Sequence, residues 1–261
     1  MRSAYEFYNE RTKNMNNKKD LAMSTGQFTA NDKQGAPVII EWQKTTLFAP
    51  EYAAIMKAVW PFACQAFMPV EMQFLRIHPE VVGTEGYYKP FEPFFKDGLQ
   101  NVDWGKVEDA MQTLLKSHFI FDTSTWGAEV VAMFANDIFY VITVKDQQTN
   151  TLRGFITFMV RPNYALGDIK SISAAVDPAY QNRGLGKLLM SSMLKIKPDT
   201  KRIFMCTRVT NRLVLIASRI LGFTKDINPV MDHAFNLDHW IFLEYKTEEC
   251  NTLQEITKRL I

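Results

Sequence analysis

The sequence predicts one α/β domain: a mixed central sheet with flanking helices. Three observations carry this. Strand-like and helical runs alternate over residues 139–221, two of the strand-like runs are separated only by the polar stretch 146–151, and a glycine turn at 184–186 joins a strand to a helix. Alternation requires at least one parallel crossover, whereas the short polar gap makes a hairpin, so the sheet is mixed. With 261 residues, of which 47% are hydrophobic, the chain can bury a full core.

In chain order, residues 1–35 are polar and read as an N-terminal arm, flexible or loosely docked, leaving 36–261 as the domain. Val38, Ile39, Ile40, Glu41 and Trp42 follow Gly35 and Pro37 and predict a first strand. A helix follows from Pro50 to about Trp60, where Pro61 is expected to end it. Residues 71–104 hold three prolines and three glycines among Phe74, Tyr87, Tyr88, Phe91, Phe94, Phe95 and Trp104. A connection longer than about 15 residues is usually functional or disordered, and this aromatic density argues against disorder, so the segment is read as an insertion that walls a substrate cleft. Val107, Met111, Leu114 and Leu115 recur at helical spacing behind Asp103, a fitting N-cap.

The hairpin is predicted over 139–145 and 152–160, a third strand over 170–176 and a helix over 186–196. A strand over 202–209, a helix over 212–221 and a strand over 240–245 come next, and Leu253, Ile256 and Leu260 mark a short amphipathic C-terminal helix.

Several function classes are excluded as expectations. Thirty basic and 28 acidic side chains give a net charge of +2 without a basic block, so no nucleic-acid partner is expected. Cys64, Cys206 and Cys250 lie far apart, and His233 and His239 have the wrong spacing for two ligands on one helix turn, so no metal is expected. The scattered cysteines point to a reducing, cytoplasmic setting; Lys18, Lys19 and Asp20 interrupt the region where a signal peptide needs its apolar stretch, and Lys57 and Pro61 in the most apolar window, 52–70, argue against a membrane span, so neither secretion nor a membrane partner is expected.

The most informative stretch is Ala174, Ala175, Val176, Asp177, Pro178, Ala179, Tyr180, Gln181, Asn182, Arg183, Gly184, Leu185, Gly186 and Lys187. Its glycines let the backbone turn tightly and approach a ligand, and the following helix points its first amides at an anion. That is a phosphate cradle. A dinucleotide fingerprint requires glycine where Leu189 stands; a Walker loop requires glycine at Gln181 and serine or threonine at Leu188. Both fail.

What remains, Gln-x-x-Gly-x-Gly after Val-Asp-Pro, resembles the acetyl-CoA signature of the GNAT superfamily of N-acetyltransferases. Asn211 opening a helix that ends in Leu221-Gly222-Phe223 resembles the family's downstream motif, and in its own right Asn211 can cap that helix while Gly222 terminates it. The resemblance implies a GNAT-like, mostly antiparallel sheet in which Gln181, Asn182, Arg183, Gly184, Leu185, Gly186 and Lys187 line the coenzyme A pyrophosphate. It also implies that Ala174, Ala175 and Val176 pair with the pantetheine arm and that Asn211 faces the coenzyme. Where the family often has a tyrosine near the coenzyme sulfur, this chain has Ser218, on the same helix face as Asn211 and therefore the candidate acid for the leaving thiolate.

The expected activity is transfer of an acetyl group from acetyl-CoA, used as a co-substrate, to a primary amine by direct attack. The acceptor can be a small molecule or a protein, and Glu80, Glu85, Glu92 and Asp97 are candidates for recognising its charge. A strand cysteine such as Cys206 without a partner histidine reads as core rather than nucleophile. The alternative is a coenzyme A-binding module without catalysis, a sensor or interaction partner, which the serine at 218 favours.

Overall fold

The computed structural model describes residues 25–47, 49–119, 134, 137–161, 164–226 and 238–260. Its strands are β1 (Thr25–Asn31), β2 (Pro37–Thr45), β3 (Ile138–Asp146), β4 (Leu152–Val160), β5 (Asp168–Val176), β6 (Arg202–Arg208), β7 (Thr224–Lys225) and β8 (Trp240–Lys246). They form one sheet in the order β1-β2-β3-β4-β5-β6-β8-β7. Every neighbouring pair is antiparallel except β5 and β6. The predicted mixed, mostly antiparallel sheet is what the chain forms. The longer helices are α1 (Pro50–Ile77), α2 (Trp104–Phe119), α3 (Leu185–Ile196) and α4 (Arg212–Leu221), followed by the short α5 (Thr252–Thr257).

The period of two in β3 serves both faces of the sheet. Ile142 and Val144 point to the layer of Leu185, Leu189, Met193 and Tyr245, beneath α3 and α5. Phe139 and Val141 point to the opposite layer, with Tyr52, Met56, Phe62 and Phe119 from α1 and α2. Each such side chain removed from water contributes about 1.5–3 kcal/mol. Across the hairpin, Tyr140 lies directly opposite Phe158, and their rings stack at 4.6 Å. α3 makes the crossover that the parallel β5–β6 pair needs. It lies close to β4 at Gly154, where a Cβ would meet the Ala175 carbonyl at 3.0 Å and Leu189 at 3.3 Å.

Two expectations need correction. Of the arm predicted over 1–35, residues 1–24 lie outside the described residues, but Thr25–Asn31 form the edge strand β1, paired with β2 from Thr25 opposite Gln43 to Asn31 opposite Pro37. The strand is polar on its open side, so its hydrophobicity is low. Asp32 fixes the turn that follows by accepting bonds from the Gln34 and Ala36 amides.

α1 does not stop at Trp60, for it continues through Pro61 and Pro69. Each proline removes one backbone donor, and the packing of Val59, Phe62, Ala63, Met68 and Met72 outweighs that loss. Among the described residues α1 alone is long and apolar enough to cross a membrane by length and composition. Its apolar face lies on the sheet.

Segment 71–104 lies at the surface, but its aromatic side chains turn inward. Phe74, Tyr88 and Phe91 are fully buried with Val107 and Met111 of α2, forming a satellite core. Asp103 accepts the Gly105 and Lys106 amides and caps α2 as expected.

Candidate active site

The ladder between β5 and β6 is short. Asp168, Ile169 and Lys170 pair with Arg202, Ile203 and Phe204, and there the pairing ends. At the closed end, Arg202 donates from Nη2 at 2.6 Å and from Nε at 3.2 Å to Asp168 Oδ2. Beyond Lys170 the strands separate. A bulge shifts the register of β5 against β4 between Thr157 and Phe158, and past the end of the β5–β6 ladder Ala174 is exposed although it lies in the middle of an eight-stranded sheet. The backbone edges of β5 past Lys170 and of β6 past Phe204 therefore face each other across a V, with donors and acceptors that no ladder uses.

The V leads to the glycine turn. Asp177 accepts the Ala179 amide and holds a single 3₁₀ turn, Pro178–Tyr180. Asn182 at φ 62° and Gly184 at φ 80° then reverse the chain into α3, whose N-cap is Gly184. Gly184 supplies no side-chain cap, and the first backbone bond back to its carbonyl comes from Leu188. The Leu185, Gly186 and Lys187 amides thus precede the helical ladder, in the positive field of the helix N-terminus. A Cβ on Gly186 would meet nothing within 4 Å. Gln181, Asn182 and Lys187 are exposed around this space, whereas the Leu185 side chain is buried and only its backbone faces it.

Arg183 has a role the sequence did not indicate. Its Nε and Nη2 lie 2.6 and 2.5 Å from Asp32 Oδ2, and its carbonyl accepts the Lys33 amide. The turn between β1 and β2 braces the glycine turn. No local pattern couples residues 32 and 183.

Asn211 caps α4 by accepting the Val214 amide, and its Nδ2 donates to Thr207 Oγ1 on β6 at 2.9 Å. It therefore fixes α4 against the β6 arm of the V. Gly222, at φ 86°, closes the helix. Ser218 is 6% exposed, and its hydroxyl donates to the Leu215 carbonyl at 2.8 Å within the helix.

On the β6 side of the V lies a buried polar network. Arg208, 3% exposed, donates from Nη2 to Tyr88 Oη at 2.7 Å and from Nε to Glu71 at 3.2 Å. Tyr88 in turn donates to Glu71 at 2.5 Å. Phe74 and Trp240 stack on the guanidinium at 4.1 and 4.0 Å. Burial first, and then the Glu71 charge, pushes the Tyr88 hydroxyl far above its ordinary range, so it stays a neutral donor. Of the acidic candidates, Glu85 pairs with His239 and Glu80 with His78, while Glu92 and Asp97 are exposed. A separate cleft of about 520 Å³, lined by Gln27, Trp42, Ile55, Val141 and neighbours, touches none of the predicted site residues.

Residues 108–223 match the model of the acetyltransferase (GNAT) family. No curated protein matches the sequence. Among solved structures, the chain is similar to a nourseothricin acetyltransferase at 14% identity and TM-score 0.33, over 41% of this chain and 65% of that one. It is similar to the ribosomal-protein-S18-alanine N-acetyltransferase of Escherichia coli at 20% identity and TM-score 0.32, over 46% and 77%. It is also similar to the PaiA N-acetyltransferase of Thermoplasma acidophilum, solved with coenzyme A, at 13% identity and TM-score 0.40, over 79% and 98%. The family match covers α4, the glycine turn and the V between β5 and β6, and residues 108–223 carry the chain's similarity to the GNAT acetyltransferase family.

Proposed function

We propose that the protein is an acetyl-CoA-dependent N-acetyltransferase that acts on a primary amine. The observation that carries this reading is the V itself: an open backbone edge on β5 running into a turn whose amides have no helical partner and whose Gly186 faces free space. An extended amide-bearing arm ending in a pyrophosphate fits that combination. The β5 edge at Ala174, Ala175 and Val176 would pair with the arm, and the Leu185, Gly186 and Lys187 amides would hold the pyrophosphate, with Gln181, Asn182 and the Lys187 ammonium around it.

The chemistry is direct. The neutral amine nitrogen attacks the thioester carbonyl carbon, the carbon–sulfur bond breaks, the thiolate takes a proton and the new ammonium loses one. The chain's contribution is mainly orientation in a narrow cleft. Ser218 is a poor candidate for the thiolate proton because its hydroxyl is turned to Leu215, so solvent or the acceptor's own proton supplies it. That same feature favours a second reading, coenzyme A binding without transfer. Free thiol release from acetyl-CoA across an amine panel, with polyamines, amino acids, aminoglycosides and peptide amines, separates the two. Turnover with any acceptor supports the enzyme; tight coenzyme binding with no turnover supports the binding module.

A further inference from the structure

We propose that His78, Glu80 and His239 form a zinc-binding site. One ligand-capable atom from each lies within 4.8 Å of the others. Two of the three are held in place by the fold. His78 ends α1, and its amide donates to the Phe74 carbonyl at 2.9 Å. His239 opens the approach to β8, and its carbonyl accepts the Val209 amide at 3.2 Å. Phe74 packs against both imidazoles, with centroids at 4.9 and 5.2 Å, and the two imidazole centroids are 5.0 Å apart.

An independent feature is the support behind His239. Its Nδ1 lies 2.5 Å from Glu85 Oε1, while Glu85 Oε2 lies 3.7 Å from Arg208 Nη1. A carboxylate that accepts a hydrogen bond from Nδ1–H fixes the tautomer and leaves Nε2 as a lone-pair donor, which is how metal-ligating histidines are usually held. The ring is buried and cannot turn away. Glu80 is the opposite case: exposed and next to Pro79, with its Oε1 already 3.1 Å from His78 Nδ1, where an ion would replace the proton between them.

Two imidazoles and one carboxylate suit zinc, which takes three protein ligands and leaves a fourth position to water. Ligand atoms about 2.0–2.2 Å from zinc sit roughly 3.3 Å from one another, so an ion would draw these groups, within 4.8 Å of one another here, closer together. The ion would tie the end of α1 to the start of β8, elements that adjoin the β6 arm of the V. Local spacing hides the site because His78 and His239 are far apart in the chain.

The test is zinc titration of the chelator-treated full chain against a chromophoric competitor, with bound metal counted by elemental analysis and cobalt substituted for its visible spectrum. One zinc per chain and a four- or five-coordinate cobalt spectrum are expected. Glu80→Gln, at an exposed position that leaves folding intact, should weaken binding at least tenfold, and Glu85→Gln by about 10- to 100-fold. Thermal unfolding verifies that each variant is folded. Wild-type protein that takes up no stoichiometric zinc, or a folded Glu80→Gln that binds as tightly as wild type, overturns the proposal whether or not the chain acetylates amines.

Discussion

Replacing Tyr88 by phenylalanine removes a single oxygen from a fully buried ring and leaves the satellite core's shape unchanged. That oxygen donates to Glu71 and accepts from Arg208, so two charged groups each lose a partner. Bonds to charged groups contribute about 1.5–3 kcal/mol each. Arg208 and Glu71 retain their own contact at 3.2 Å, which holds the total toward the lower end. We expect a loss of about 2–4 kcal/mol, against the ±0.5 kcal/mol usual for a surface change, and a fall in Tm of roughly 5–15 °C for a chain of this size. Urea unfolding followed by circular dichroism gives the number. Glu71→Gln and the double variant complete a cycle, in which the double variant should lose clearly less than the sum of the singles. A Tyr88→Phe loss under about 0.5 kcal/mol, or strict additivity with Glu71→Gln, would refute the reasoning that this network holds the 71–104 segment in place.

Other perturbations probe the turns and the helix of the site. Gly222→Ala combines a φ of 86° with a Cβ that overlaps Cys250 Sγ; we expect a loss of about 2–3 kcal/mol in urea unfolding, partly restored by Cys250→Ala. Arg183→Ala leaves the Asp32 carboxylate, 2% exposed, with only its turn amides. Because Arg183 itself is one-fifth exposed, the expected loss is about 1–3 kcal/mol rather than that of a fully buried pair, and Asp32→Asn should match it. Ser218→Ala should leave turnover within about twofold; a tenfold fall in kcat at unchanged coenzyme affinity would return the proton-donor role to that hydroxyl.

What the sequence made legible was local. The β3–β4 hairpin, the Asp103 and Asn211 caps, and the glycine turn each depend on residues close together in the chain, and each lies where the pattern put it. β1 was missed because an edge strand with one polar side carries little apolar signal. α1 was cut short because the proline rule is local, whereas the packing that carries the helix past Pro61 and Pro69 is tertiary. The same limit hid the pairs Asp32–Arg183, Glu71–Arg208 and Glu85–His239, each formed by residues more than a hundred positions apart. It also hid the partners of Tyr88, Glu71 of α1 and Arg208 of β6, in a segment the sequence read only as a wall of the cleft.

The central claim, that the V and the glycine turn form the coenzyme site, is tested most directly by calorimetric titration of coenzyme A into wild-type protein and Gly186→Asp. The aspartate fits sterically, since a Cβ there meets nothing within 4 Å, so the variant should fold. Its carboxylate would occupy the space in front of the Leu185, Gly186 and Lys187 amides and repel a pyrophosphate. The account predicts saturable one-site binding to wild type and loss of at least about a hundredfold in affinity in a folded Gly186→Asp, as blocking a close charged contact demands. Unchanged affinity in that variant, or no binding to wild type, would contradict it.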